Sequence, residues 1–456
     1  MKDYTKEFME DLQEIIARKD VELGRKLLKD LHPADIAELF EELDIADEEF
    51  LESLLDREVA AEVLMEMDED DRGRLLEQMP KKEIAETLEL LDTDDAVDLI
   101  QELDEEDRDE IIAHIEDVEQ AGDIIDLLKY DDDTAGGLMG TEMIVVNENW
   151  SMQECVKEMR TQAESEGMDE IYNVYVVDDD NRLKGLFPLQ KMITHPSVSK
   201  IKHVMETDPP VVKTDTPIEE VALDFEKYNL VAMPVIDSIG RLVGRITVDD
   251  VMDTVREQSE RDYQLASGIS QDVEVDDSIL TQTRARLPWL LIGIFGGIAN
   301  SWILGGFEKG FATNPAMALF IPLIGGTGGN VGTQSSAIVV QGLANGSLDI
   351  KNSGKLLFKE FSIAMVNALV ISMMVYLYRL ISGEPAMDVV TLAVTLSLFA
   401  VVLFASVFGS FVPLMFERFK IDPALATGPF ITITSDIVGM LIYMVVSSSL
   451  IRAFGG

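Results

Sequence analysis

Asp436 is an ionisable residue inside an apolar run, GPFITITSDIVGMLIYMVV. A carboxylate at membrane depth costs about 3 kcal/mol or more on insertion scales, so such a group normally faces water, a cation or a partner. No Lys or Arg in the apolar stretches stands near enough in sequence to be an obvious partner. A protonated Asp packed between helices is the structural alternative. The second chemical feature is PLIGGTGGNVGTQ, residues 322–334. Gly325, Gly326, Gly328, Gly329 and Gly332 weaken a helix and let backbones approach closely. Asn330, Thr327, Thr333 and Gln334 add neutral oxygens. Glycine richness alone also suits a plain helix crossing; beside Asp436 it favours a cation path. Hard oxygen donors suit Mg²⁺ or Ca²⁺. The four histidines, His32, His114, His195 and His203, are scattered, and Cys155 is the only cysteine, so no soft-metal cluster is present. One carboxylate per chain is thin for a divalent ion, and a homodimer with the path on its axis supplies two.

The elements that must position these groups follow from charge. Residues 287–456 hold eight acids and eight bases, whereas residues 1–286 hold 77 acids and 29 bases and carry the whole net charge of −48. This reads as a multidomain membrane protein, an acidic soluble body joined to an apolar one. Such a body repels nucleic acid and attracts divalent cations. Five apolar stretches, 287–307, 310–348, 361–378, 389–416 and 423–451, predict a five-span α-helical transmembrane domain over 284–456. Arg284, Arg286, Lys351, Lys355, Lys359, Arg418 and Lys420 fall on the N-terminal side of the bilayer, against Lys309, Arg379 and Arg452 on the other. The positive-inside rule then puts the N-terminal domains in the cytosol and the C-terminus outside, in a cell (inner) membrane protein. The start, MKDYTKEFMEDLQEII, has no apolar run of the kind a cleavable signal needs.

Residues 1–130 predict short amphipathic helices whose pieces return every few dozen residues, an acidic helical superhelix with acids capping several helices. Residues 174–193, VYVVDDDNRLKGLFPLQKMI, align without gaps on 233–252, MPVIDSIGRLVGRITVDDVM. Each copy reads strand, turn, strand, helix, and the pair resembles tandem α/β CBS domains, at 138–200 and 201–258. In that family a Thr or Ser followed three residues later by Asp can hold an adenosine ribose. Copy two has Thr247 and Asp250, whereas copy one has Pro188 and Lys191. A purely structural pair is the alternative. Residues 253–283 predict a connecting helix, either a lever or a passive linker.

AGGLM (135–139), PLIGGTGGNVGTQ (322–334) and DPALATGPFITITSD (422–436), in this domain order, resemble the MgtE family of magnesium channels over essentially the whole chain. The resemblance implies a homodimeric Mg²⁺ channel with a cytosolic Mg²⁺ gate, its path lined by the second and fifth spans. It assigns to the path Asp436 and Asn330, with Pro322, Gly325, Gly329, Gln334, Asp422, Gly428 and Thr432. It assigns Mg²⁺ sensing to Glu62, Asp94, Asp98 and Gly137, and to Glu219, Asp250, Asp253 and Asp262. Pro217, Asn229, Gln258 and Arg261 stand where relatives can be acidic, and Gly428 and Thr432 where they can differ. Mg²⁺ is the implied ligand, with ATP or another adenine nucleotide at the CBS pair.

The expected mechanism is electrostatic. Like charges spread the acidic domains, and rising cytosolic Mg²⁺ bridges carboxylates and closes the path. Two other classes are weighed: a Na⁺- or H⁺-coupled divalent-metal carrier, and a CBS-regulated membrane sensor. No nucleophile–base pair, Walker loop or metalloprotease motif is present, so an enzyme is not expected.

Overall fold

A computed structural model describes residues 6–454 apart from 30, 41, 42, 44, 166–170, 276, 309–311, 313, 349–352, 384, 386 and 387. Lys309 and Lys351, two bases used above for orientation, lie outside the described residues. The chain divides into two compact units, Met1–Asp253 and Thr254–Gly456.

The first unit opens with ten short helices between Lys6 and Leu127 among the described residues. Apolar residues three and four apart give each a buried stripe, as Ala96, Val97, Leu99 and Ile100 do in the helix Thr93–Glu102. Alternate helices pack on one another: Pro33–Phe40 on Arg57–Glu66, that helix on Lys81–Leu88, and that one on Glu105–Ile112. Acids begin many of these helices, but only some cap by hydrogen bonding. Asp20 accepts from Leu23 N–H and Asp117 from Glu119 and Gln120 N–H. Asp56, Asp92 and Asp104 make no such bond; at the helix start they act through the helix dipole. Buried Arg72 links two helices, its Nε donating to Glu102 Oε2 at 3.0 Å and its Nη1 to the Met65 carbonyl at 2.9 Å.

Both CBS copies repeat the same plan. In copy one, β1 (Ile144–Asn147) lies parallel to β2 (Asn173–Val177), which pairs antiparallel with β3 (Leu183–Pro188) and then β4 (Glu206–Thr207). In copy two, β5 (Val212–Lys213) lies parallel to β6 (Ala232–Ile236), which pairs antiparallel with β7 (Leu242–Thr247). The duplication extends to the register shift, between Val176 and Val177 in one hairpin and between Val235 and Ile236 in the other. One continuous core runs from the short helices through Ala135 and Met139 into Val221, Met233, Val235 and Ile246 of copy two. Copy one keeps a separate core around Val174, Val176 and Phe187. The acidic helices are thus packed with the second copy rather than the first.

The second unit contains the helices Ile279–Gly306, Ile321–Ala344, Ser353–Ile381, Val389–Arg418 and Gly428–Phe454. Among the described residues, four segments are long and apolar enough to cross a membrane: Ile279–Gly306, Ser353–Ile381, Val389–Arg418 and Pro423–Phe454. Ile321–Ala344 is long enough, but its glycines, Asn330, Gln334 and hydroxyls dilute its apolar character. Val389–Arg418 is the most buried of the four and packs against Ile321–Ala344, Ser353–Ile381 and Gly428–Phe454. The helix Val248–Ser267 begins five residues before the expected connecting segment and stops well short of 283. Its end is a glycine C-cap: Gly268, at φ +83°, donates to Leu265 O and Ile269 donates to Gln264 O.

Candidate ion path and cation-sensing cluster

The glycine-rich helix Ile321–Ala344 and the aspartate helix Gly428–Phe454 meet through missing side chains. A Cβ on Gly328 would lie 3.4 Å from the Ser435 carbonyl oxygen and 3.1 Å from Val401 Cγ1 of the central helix Val389–Arg418, and one on Gly332 would lie 2.7 Å from Ile431 Cγ2. A Cβ on Gly409, from the central helix Val389–Arg418, would lie 2.2 Å from the Gly332 carbonyl oxygen. The glycine-rich and central helices therefore approach backbone to backbone at a distance only glycine permits, and the Ile431 side chain of the aspartate helix fills space that Gly332 leaves open. Hydroxyls fasten them: Ser335 Oγ to Ser406 Oγ at 2.9 Å, Ser336 Oγ to the Ala426 carbonyl at 2.7 Å, and Thr333 Oγ1 to Thr432 Oγ1 at 3.2 Å.

Asp436 sits against this face. A Cβ on Gly329 would lie 3.1 Å from Asp436 Oδ1 and 3.0 Å from Thr432 Cγ2; one on Gly325 would lie 4.0 Å from the same oxygen. Asp436 Oδ1 is buried and has no hydrogen-bond partner among the described residues. An unpaired buried carboxylate oxygen calls for water or a cation to complete it. The structure thus gathers Asp436, Thr432, Gly325 and Gly329. Pro322, Asn330 and Gln334 lie on an exposed stripe of the glycine-rich helix, at four- or eight-residue spacing with Gly326 between the first two. Asp422 is exposed and caps the turn Pro423–Ala426, accepting from Ala424 N–H at 2.7 Å. Gly428 starts the aspartate helix two turns from Asp436, at φ +46° and against the Ala266 carbonyl.

The first unit holds a cluster of acids where the helix Thr93–Glu102 meets the segment leading into β1. Asp92, Asp94 and Glu142 each offer a carboxylate oxygen, all within 4.8 Å of one another. Thr93, 2% exposed, fixes the arrangement. Its N–H and hydroxyl donate to Glu142 at 3.0 and 3.1 Å, and its hydroxyl accepts from Thr141 N–H at 2.9 Å. Gly140 makes room, since a Cβ there would lie 2.7 Å from Asp94 Oδ2 and 3.0 Å from Glu142 Oε2. Gly140 and Arg245 exchange backbone hydrogen bonds at 2.9 Å, and the Arg245 guanidinium lies 3.5 Å from Asp92 Oδ2.

Crowding shows in the proton affinities. Burial, then the charges of Asp250, Asp95 and Glu142, hold Asp94 well above the usual carboxylate range. Burial and Asp250 push Asp95 up to about 7. Asp92 and Glu142 are also raised by burial, with Arg245 opposing the shift at Asp92. Asp250 is raised by burial while its bond from the Thr247 hydroxyl opposes the shift. All the donors are hard oxygens carrying excess negative charge, a set that fits a divalent cation.

Among the residues expected to sense cations, Asp94 and Asp250 share this field. Glu62, Asp98, Glu219 and Asp253 are exposed on helices, and Asp262 is half-buried. Gly137 lies in a turn, its N–H donating to Thr134 O at 3.0 Å; a Cβ there would lie 2.7 Å from the Asp131 carbonyl oxygen. Thr247 and Asp250 bond to each other, the Thr247 N–H and hydroxyl both donating to Asp250 Oδ2. Asp92, Asp95 and Glu142 were not foreseen. The run of acids after Asp92 hints at the first two, whereas Glu142 reaches the cluster only through tertiary structure.

Comparison with known proteins agrees with this layout. A divalent cation transporter domain of the MgtE type matches residues 321–446, the MgtE intracellular N domain matches 31–133, and CBS domains match 135–196 and 201–257. The magnesium transporter MgtE of Thermus thermophilus is 34% identical over 333 residues, 72% of each chain. That of Enterococcus faecalis is 32% identical over 338 residues, 74% of this chain and 73% of the relative. A crystal structure described as the cytosolic domain of the Mg²⁺ channel MgtE in complex with ATP is 33% identical, with a TM-score of 0.50, and covers 53% of this chain and 98% of that one. These features define a membrane transport protein with a CBS-containing soluble region. The chain belongs to the MgtE family of magnesium transporters.

Proposed function

We propose that this protein is a homodimeric Mg²⁺ channel of the cell membrane that admits Mg²⁺ and is closed by cytosolic Mg²⁺ bound among its acidic domains. The single observation that carries the reading is Asp436 Oδ1, buried against Gly329 with no hydrogen-bond partner among the described residues. Five spans, with the glycine-rich helix as the second, make the path from the second and fifth. The exposed stripe of Pro322, Asn330 and Gln334 on that helix supports a second copy facing it across the path, which doubles the carboxylate. Mg²⁺ retains much of its water, so one carboxylate per chain plus neutral oxygens from Asn330 and Thr432 suits a hydrated ion.

The proposed division is a helical sensing superhelix at 1–130, CBS copies at 138–200 and 201–258, a connecting segment at 253–283 and the path domain at 284–456. The soluble domains face the cytosol and the C-terminus lies outside. Asp94, with Asp92 and Glu142, forms the centre of the sensor; Glu62, Asp98, Gly137, Glu219, Asp250, Asp253 and Asp262 extend it. Above the pH at which these acids hold protons, Mg²⁺ takes the protons' place and draws the acidic helices onto the second CBS copy. The relative solved with ATP supports an adenine nucleotide at the CBS pair; Thr247 and Asp250 would then exchange their mutual bond for the ribose.

The test is Mg²⁺ uptake into liposomes holding the purified protein, with Mg²⁺ varied on the cytosolic face. Uptake should fall as that Mg²⁺ rises, and neutralising Asp94, Asp98 and Asp253 together should abolish the fall. Retained inhibition in the triple variant would overturn the sensor. Uptake reversed by a Na⁺ gradient would favour a coupled carrier instead.

A further inference from the structure

Arg379 is 8% exposed in the last turn of the helix Ser353–Ile381, inside an apolar bundle that should exclude a cation. Its Nε donates to Thr391 Oγ1 at 3.1 Å and its Nη2 to Asp388 Oδ2 at 3.0 Å. Asp388 is the N-cap of the central helix Val389–Arg418, and the same oxygen accepts from Val390 and Thr391 N–H, each at 3.1 Å. One carboxylate oxygen thus serves both a helix start and a buried cation. The guanidinium carbon also lies 5.6 Å from the centre of the Phe320 ring. Phe320 ends the short turn Pro315–Phe320 and is the N-cap of the glycine-rich helix, two residues before Pro322. That turn is also tied to the aspartate helix, whose buried Tyr443 donates its hydroxyl to the Met317 carbonyl at 2.8 Å.

We infer that the Arg379–Asp388 pair sets how tightly the path takes in Mg²⁺ from outside. On the orientation proposed above, both residues stand with Phe320 at the outer end of the membrane domain, where the glycine-rich helix begins. A cation held there opposes the entry of other cations, because a buried charge is poorly screened. Asp388 cancels that charge, while Arg379 holds the ring that starts the helix lining the path. Fold stability alone does not call for this arrangement. Asp388 can cap its helix unaided, and burying an ion pair gains little over a neutral pair of the same shape. Both are positioning residues that never touch the ion, Arg379 acting through Phe320 and Asp388 through Arg379. The inference rests on the proposed function and adds an electrostatic control of entry to it.

The experiment measures Mg²⁺ uptake by full-length protein in liposomes against outside Mg²⁺, with cytosolic Mg²⁺ held low, and separates the half-saturating concentration from the maximal rate. Asp388→Asn keeps an acceptor for the helix start but leaves Arg379 unbalanced, and should raise the half-saturating Mg²⁺ about tenfold. Arg379→Gln leaves the opposite charge and should lower it about threefold. The double variant is neutral again and should return towards the parent. Arg379→Lys keeps the charge without the planar fork and should stay near the parent in half-saturating Mg²⁺. Maximal rates should change little in all four. A purely structural clamp would move both single variants the same way and leave the double variant no better, and either result overturns the inference. Should Asp388→Asn fail to fold, equal half-saturation in Arg379→Gln and Arg379→Lys overturns it. A parent that admits no Mg²⁺ would instead overturn the functional reading beneath it.

Discussion

Asp436 Oδ1 lies 3.1 Å from where a Cβ on Gly329 would stand. The carboxylate therefore occupies space that only a glycine on the facing helix leaves open. Thr432 Cγ2 is 3.0 Å from the same point, so two successive turns of the aspartate helix rest on one missing side chain.

Gly329→Ala should separate stability from transport. Alanine favours the helix by about 1 kcal/mol, which offsets part of the crowding. Thermal unfolding in detergent should change by a few degrees at most, while Mg²⁺ uptake falls at least tenfold because the carboxylate is displaced. Uptake unchanged by the methyl would mean that the contact does not position Asp436.

The acid cluster makes the soluble region sensitive to pH in a defined direction. Asp95 binds its proton more tightly in the folded protein, with a pKa of about 7 against an ordinary 3.8, and Asp94 shifts the same way. Their packing is therefore most favourable below the ordinary value and is lost as pH rises through the folded one. Without divalent ions, the unfolding temperature should fall between about pH 4 and about pH 7, and Asp95→Asn should flatten that fall. Added Mg²⁺ should raise the unfolding temperature more at about pH 8 than at about pH 5, where protons compete for the same oxygens. Equal Mg²⁺ shifts at both values would place the sensor elsewhere.

Glu142 gives a sharper test of the same cluster. Glu142→Gln keeps the shape and an acceptor for Thr93 while removing one charge. The protein should become more stable without Mg²⁺ and gain less from adding it, with the half-inhibiting concentration raised several-fold. The readouts are calorimetry and uptake on one preparation; an unchanged Mg²⁺ dependence would exclude Glu142 as a ligand.

Much of this was legible in the sequence because the signals were local. The gapless match of 174–193 on 233–252 anticipates two hairpins that coincide even in their register shift. A carboxylate within an apolar run and a glycine-dense segment announced themselves without any fold, and the structure brings Asp436 and Gly329 together. What escaped depends on distant pairing. Glu142 meets Asp92 and Asp94 across nearly fifty residues through Thr93, which no periodicity records. Strands β4 and β5 are two residues long, too short to leave a pattern. The continuity of the acidic helices with the second CBS copy depends on apolar contacts between Met139 and residues nearly a hundred positions later. Gly428 carries a positive φ that composition does not reveal, and it packs on Ala266, two turns from Asp436.

The most direct measurement is Mg²⁺ uptake by liposomes carrying Asp436→Ala beside the parent, with cytosolic Mg²⁺ held low so that the path stands open. Removing the only carboxylate of the aspartate helix Gly428–Phe454 should cut uptake to that of empty liposomes while leaving assembly and unfolding temperature close to the parent's. Uptake by the alanine variant equal to the parent's would contradict the account.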